Sequence, residues 1–340
     1  MNVMIGIDPH KSSHTAVAID CSETELESRK VRATVTQVDQ LLAWAEPFAS
    51  RTWAIESANG LGYLLSQQLV AAGETVLDVP ATLASRVRVL ATGRSAKNDP
   101  NDALSVAVAA LRFDGLRRVA PVGHAEVLRL LAKRNHDIGR QRNRLVSRMH
   151  SLVMELAPGG IAKEINASDV DRLLEVVTPS TPVEQIRYDL VVELLDDIRR
   201  LDSQLKDSHR RIRQAVHASQ TSVTDIYGIG PVLAAMLIGY SGDITRFADR
   251  DAYAAYNGTA PVEFSSAGRT VHRVSQRGSR QLNHALHMAA ICQLRQTGSE
   301  GRAYVDRRVA EGKTKREAIR ALKRHISNRV YRHLVTDAAP

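Results

Sequence analysis

Two short apolar runs, residues 3–7 and 15–19, flank the stretch Asp8-Pro9-His10-Lys11-Ser12-Ser13-His14. Runs of this length are too short for ordinary helices and suit buried strands. The polar connection leaves room only for a turn, so the two strands are expected to run antiparallel, with a third at 31–36 completing a meander. Helical and strand patterns then alternate. Helices are expected at 38–48, at 61–72 (stopped by Gly73), at 81–90 and, opened by Asp99-Pro100, at 99–113; strands are expected at 52–57 and 75–79.

The order βββαβαβα is that of ribonuclease-H-like folds, an α/β architecture with a mixed sheet flanked by helices. It gives meaning to four acids. Asp8 ends the first strand and Glu56 stands near the end of the fourth, while Asp99 and Asp102 lie three apart at a helix start and share one helical face. In such a fold the first strand is central and its end lies beside the fourth, so the four carboxylates can converge. A hard oxygen cage of that kind suits paired Mg²⁺ (or Mn²⁺), with room left for phosphate oxygens. Each acid also has a plain explanation. Asp8 can open a turn, Glu56 can be a solvated edge residue, and Asp99, Pro100 and Asp102 suit the N-cap, N1 and first-turn positions.

The chain has 340 residues and a formal charge of +9, which favours an anionic partner, nucleic acid before membrane. Aromatic residues make up only 4%, too few for binding built mainly on base stacking. Cys21 and Cys292 form no CxxC pair, which argues against a zinc module or a disulfide framework and favours a reducing cytoplasm. Neither a secretory signal nor a transmembrane run is expected. Three segments are expected: residues 1–120, with the acids; a helical or coiled-coil segment, 121–220; and a mostly helical segment, 221–340. Residues 124–156 read as a basic helix carrying Arg140, Arg142 and Arg144, and 183–214 as a long helix of a hairpin, coiled coil or plain bundle.

In the last segment Gly228-Ile229-Gly230 precedes an apolar helix at 231–238. This is the pattern of a helix–hairpin–helix, whose glycines let backbone N–H groups approach a phosphate; a structural turn between helices reads the same way. Ser265 and Ser266 follow in a small-residue loop, ahead of Arg269, Arg273, Arg277 and Arg280. A serine there can be a nucleophile toward phosphate with arginines neutralising charge, or a turn serine beside a phosphate-binding surface.

Ordered blocks along nearly the whole chain resemble the DEDD-type transposases of the IS110 family. "GIDPHKSSH", "AIESANGLG" and "KNDPNDA" look like the D, E and DxxD blocks of its RuvC-like domain. "IYGIGPVLAAMLIGYSGDITRF", "AAYNGTAPVEFSSAGR" and "RVSQRGSRQLNHALHMAA" look like its transposase domain. The resemblance implies a serine recombinase that cuts and rejoins DNA for insertion-sequence mobility. Asp8, Glu56, Asp99 and Asp102 would bind metal and Ser266, the serine nearer the glycine, would attack. It also implies a composite site in a homodimer or tetramer, a bridge RNA encoded by the element in some members, and a cytoplasmic, nucleoid-associated location. Two other readings use the same residues: a RuvC-like nuclease that hydrolyses branched DNA without a serine, and a non-catalytic nucleic-acid-binding protein whose acids only cap and pair.

Overall fold

The protein is described by a computed structural model over residues 2–92, 99–161, 167–266, 269–274 and 278–339, the side chains of 90–92, 262–266 and 269–274 excepted. It divides into two compact units, residues 1–122 and 123–340.

The first unit contains β1 (Asn2–Pro9), β2 (Ser13–Ile19), β3 (Glu25–Arg32), α1 (Gln37–Trp44), β4 (Ser50–Glu56), α2 (Tyr63–Ala71), β5 (Val76–Val79), α3 (Ala81–Thr92), α4 (Asp99–Arg112) and a short β6 (Arg117–Arg118). The sheet order is β3-β2-β1-β4-β5-β6. β1, β2 and β3 are antiparallel neighbours, and β4 and β5 run parallel to β1. This is the ribonuclease-H-like arrangement expected from the sequence, with β1 central.

Two features differ from expectation. The third strand lies at Glu25–Arg32 rather than 31–36, and β6 was not anticipated. The Asp20 carboxylate accepts backbone N–H bonds from Ser22 and Thr24 and closes a tight turn, so β3 starts early. β3 borders the sheet and is exposed at every residue but Val31, so it has no apolar alternation to reveal it.

The alternation of side chains along the strands sorts the core into two layers. Val3, Ile5, Ile7, Trp53 and Ile55 pack on Leu41, Trp44, Leu65 and Leu69 of α1 and α2. On the opposite face Val17, Ile19 and Ala54 pack on Ala103, Val106, Ala107 and Ala110 of α4. Gly6 lies under α4. A Cβ there would stand 2.2 Å from the Ala103 carbonyl oxygen and 2.4 Å from the Ala107 nitrogen. Only glycine lets the helix backbone come that close.

The second unit is built on two long helices, α5 (His124–Leu156) and, after α6 (Ala167–Val176), α7 (Pro182–Ala218). They pack antiparallel. Glu155 pairs with Arg187 and Arg142 with Asp202, the Asn135 amide donates to Ser208 Oγ, and His124 meets the Ala215 carbonyl. At about 1.5 Å per residue each helix runs roughly 50 Å. One end holds a small core of Met149, Val153, Val170, Val191, Leu195 and Ile198. The other joins a larger core among α8 (Pro231–Ser241), α9 (Arg250–Tyr256), α10 (Arg280–Arg295), α11 (Glu300–Ala310) and α12 (Lys315–Asp337); a hairpin of β7 (Pro261–Ser266) and β8 (Arg269–Val274) stands between α9 and α10 in sequence. Near the end of α12 the Asp337 carboxylate accepts bonds from Thr221 Oγ1 and from the Ser222 backbone and hydroxyl, clasping the segment that leads into α8.

One ionic cluster should make the first unit acid-sensitive. Arg51 donates to both Glu74 oxygens, at 3.0 and 2.5 Å, and Trp53 Nε1 donates to Glu74 Oε2 at 2.7 Å. Burial would raise the Glu74 pKa, but the bonds from Arg51 and Trp53 and the Arg51 charge outweigh it and hold the carboxyl below its ordinary value. Because the folded pKa is depressed, the stabilisation is fully present above the ordinary glutamate pKa of about 4.3 and is lost as pH falls through the folded value. Urea unfolding of wild type and Glu74→Gln across that acid range should show wild type more stable by roughly 1–3 kcal/mol near neutrality, the gap closing in acid.

Candidate active site

The crossing of α4 over Gly6 brings the start of α4 to the end of β1. Asp8 shares the face of Gly6, is buried, and pairs in register with Thr15; Thr15 pairs with Lys30. The parallel register sets Ile7 beside Ile55, so its next step sets Glu56 beside Asp8, on the face of Ala54. After Glu56, Ser57 takes φ 51°, in the left-handed region uncommon for a side-chain-bearing residue, and turns the chain sharply. A row Lys30, Thr15, Asp8, Glu56 therefore crosses four strands beneath the N-terminus of α4.

Ligand atoms of Asp8, His10 and Asp99 lie within 4.8 Å of one another, and His10 Nδ1 is 3.5 Å from Asp8 Oδ2. Lys30 Nζ donates to Asp99 Oδ2 at 2.7 Å; that bond first, and the lysine charge next, hold the Asp99 pKa below its ordinary value. Asp102, one turn along, is not in this group. Its carboxylate is bound by Arg88 of α3. Of the four acids anticipated, the structure thus gathers Asp8 and Asp99, sets Glu56 on the same sheet face, and pairs Asp102 with an arginine.

His10, Lys30 and Arg88 were missed from sequence. His10 had a signal, standing two residues after Asp8 in "DPH". Lys30 is hidden in a charged edge strand, and only the register places it across from Thr15.

The donor set fits a divalent cation. Two carboxylates and an imidazole converge, with a third carboxylate on the same face, and oxygen-rich sets of this kind suit hard cations. Thr15 Oγ1, beside Asp8 in the sheet, is buried and has no hydrogen-bond partner among the described residues, a further oxygen in this row. The Lys30–Asp99 pair is half exposed on both sides, so it is easily displaced.

In the second unit Gly228 has φ 87°, and a Cβ there would stand 2.9 Å from the Ala289 carbonyl oxygen, so packing against α10 already requires glycine. Gly230 caps α8 and faces open space, with no such requirement. Ser265 and Ser266 do not lie in a loop as expected; they close β7, pairing with Thr270 and Arg269 of β8. The run of small residues Ser265-Ser266-Ala267-Gly268 has no apolar alternation and so reads as a loop. Arg273 pairs with Val262, Arg280 begins α10 exposed, and Arg277 lies outside the described residues. On α5, Arg140 and Arg144 are exposed, whereas Arg142 is engaged by Asp202 of α7 at 2.5 Å.

Comparisons with known proteins give the family. A family model for DEDD transposases of the IS110 type matches residues 5–158. A second, for transposases of the IS116/IS110/IS902 family, matches residues 220–306. Both define a transposase. The chain is 28% identical to a 44.8 kDa protein of insertion element IS116 from Streptomyces clavuligerus, over 95% of this chain and 92% of that protein. It is 25% identical to a 42 kDa protein of insertion element IS900 from Mycobacterium paratuberculosis, over 96% of this chain and 94% of that protein. Among solved structures, T. thermophilus RuvC in complex with a Holliday junction substrate aligns over 35% of this chain and all of that one, at 18% identity and a TM-score of 0.29. The chain belongs to the IS110 family of insertion-element transposases. Among the described residues no helix is long and apolar enough to cross a membrane.

Two predictions come from this geometry. Lys30→Met should tighten Mn²⁺ binding several-fold in calorimetry of the DNA-free protein, because the competing ammonium is gone; weaker binding would show that Lys30 supports the site instead. Charge reversal at Arg140 and Arg144 should flatten the salt dependence of DNA affinity without lowering the melting temperature. Arg142→Glu, which faces Asp202, should lower the melt instead.

Proposed function

We propose that this transposase cuts and rejoins DNA through a covalent phosphoserine made by Ser266, with Asp8, Glu56, Asp99 and Asp102 holding Mg²⁺ or Mn²⁺. The observation that carries the metal half is the meeting of Asp8, His10 and Asp99 at the end of β1. The serine half rests on the family's block order, in which Ser266 follows the Ala260-Pro261 pair and precedes Gly268.

In the proposed reaction Ser266 Oγ loses its proton and attacks phosphorus in line, the bond to the departing deoxyribose oxygen breaks, and that oxygen takes a proton. The phosphoserine keeps the phosphodiester's energy, so a deoxyribose hydroxyl can attack it in turn and release the serine without a nucleotide cofactor. Arg269, Arg273, Arg277 and Arg280, close to Ser266 in sequence, supply fixed positive charge for the phosphate oxygens. A divalent cation bound by the four acids would neutralise charge that develops on phosphate during transfer. Gly230 and the exposed cations of α5 hold the flanking backbone. The working particle is a homo-oligomer, and an element-encoded RNA selects the DNA; the +9 charge supports two nucleic-acid partners.

Asp8→Ala and Glu56→Ala should each abolish strand cleavage while the metal-free protein melts no lower than wild type, since one of several like charges is removed; Asp102→Ala should also abolish cleavage but melt lower, because it leaves Arg88 without its enclosed partner. Full activity in any two of them would remove the metal site. Ser266→Ala should bind DNA and lose cleavage by at least about 10³-fold, with no covalent adduct on denaturing gels. Ser265→Ala should retain most activity. An adduct mapped by mass spectrometry to Ser265 would move the nucleophile by one residue. Cleavage that needs Asp8 but yields no adduct on either serine would assign the chemistry to hydrolysis. RNA co-purifying with the protein, and its mass in solution, test the guide and the assembly.

A further inference from the structure

A second cluster of chemistry lies in the second unit, on α10 and α12. Arg280, Asn283, His284 and His287 follow one another at helical spacings of three, one and three, and so lie along one face of α10. Lys323 of α12 reaches the same place, and together they line an open cavity of about 560 Å³. Its floor is made by Gly258 and Gly278, which sit just before and just after the β7–β8 hairpin. The two glycines touch: a Cβ on Gly278 would stand 2.5 Å from the Gly258 nitrogen. The hairpin therefore leaves and rejoins the unit at this cavity.

Among the described residues the lining carries Arg280, Lys323 and two histidines and no carboxylate. Lys323 is half-buried, and among the described residues its ammonium has one acceptor, Asn283 Oδ1 at 2.6 Å, and no acidic partner. An ammonium has three donors, so two remain to be satisfied. Asn283 is fixed in turn, its amide donating to the Asn257 and Gly258 carbonyls at 3.0 Å each. Burial first, then the charge of Arg320, lowers the Lys323 pKa; burial, then Lys323 and His284, lowers that of His287. Confining like charges in a half-desolvated hollow is costly unless an anion arrives to share their donors.

The extent of the row of polar nitrogens shows which anion. From Arg280 to His287 the row runs about 10 Å along α10, with Lys323 beside it, longer than one phosphate and comparable to successive charges on a nucleic-acid strand. We propose that this cavity is a phosphodiester-binding site in which Lys323, Arg280, His284 and His287 grip the DNA backbone at the root of the Ser266 hairpin. The proposal rests on the reading of the chain as a DNA transposase and deepens it. Lys323 is the anchor, because Asn283 aims it; Arg280 and His284, both exposed, guide the strand in.

The test is equilibrium binding of the full chain to labelled duplex DNA and to single-stranded RNA, by anisotropy over a salt series and without divalent metal. Lys323→Met should weaken DNA binding about 10-fold or more and lower the slope of log affinity against log salt by about one. The double variant Arg280→Ala, His284→Ala should do the same, and because both side chains are exposed its melt should match wild type. DNA affinity and slope equal to wild type in the double variant would overturn the proposal, whatever Lys323→Met does to folding. So would a loss confined to RNA, which would give the site to an RNA backbone. Cleavage is not read here, so a wild-type protein that binds DNA but fails to cut it would sink the recombinase reading and leave this site standing.

Discussion

The first unit depends on a contact between two backbones. α4 lies so close to β1 at Gly6 that any side chain there would overlap the Ala103 carbonyl. The helix face that makes the approach possible is also small, with Ala103, Ala107 and Ala110 packed on the sheet. Close packing leaves little freedom in where α4 can sit, because interiors are as dense as organic crystals. The position of Asp99 relative to Asp8 is thus set by glycine and alanine rather than by any polar group at the site. A methyl group at residue 6 would have to lift the helix, and the carboxylate would leave with it.

Around that contact the acids are kept from repelling one another by borrowed cations. Lys30 comes from the sheet border and binds Asp99, and Arg88 comes from α3 and binds Asp102. The two partners differ in burial. Lys30 and Asp99 are exposed enough to exchange readily with solvent ions, whereas Asp102 is held in a more enclosed pair. The chain carries its own counterions for a set of charges that would otherwise destabilise the fold.

Much of the first unit was legible because its strands alternate or run apolar and its helices end at glycine, proline or a cap. Ile5, Ile7, Trp53 and Ile55 could hardly be anything but core. What escaped was set by partners rather than by local pattern. β3 is polar because it borders the sheet, and its start is decided by the Asp20 turn. Lys30 acquires a role only through register with Thr15 and Asp8, a relation between residues far apart in sequence. Likewise Asp8 and Asp99 could be named from strand ends and helix starts, and His10 stood two residues from Asp8, but nothing local said that Arg88 holds Asp102. In the second unit the apolar spacing announced the long helices, while Arg142 looked like its neighbours until Asp202 was found opposite it.

The clasp of Asp337 on Thr221 and Ser222 has a consequence for synthesis on the ribosome. The core under α8 includes Leu322, Ile326, Val330 and Leu334 of α12, so it cannot close before residues 315–337 have emerged. The first unit contains its own core within residues 1–122 and can fold while the rest is still being translated. A nascent chain therefore carries a folded set of carboxylates before the second unit can complete its core, and a truncated translation product is left with the first half alone.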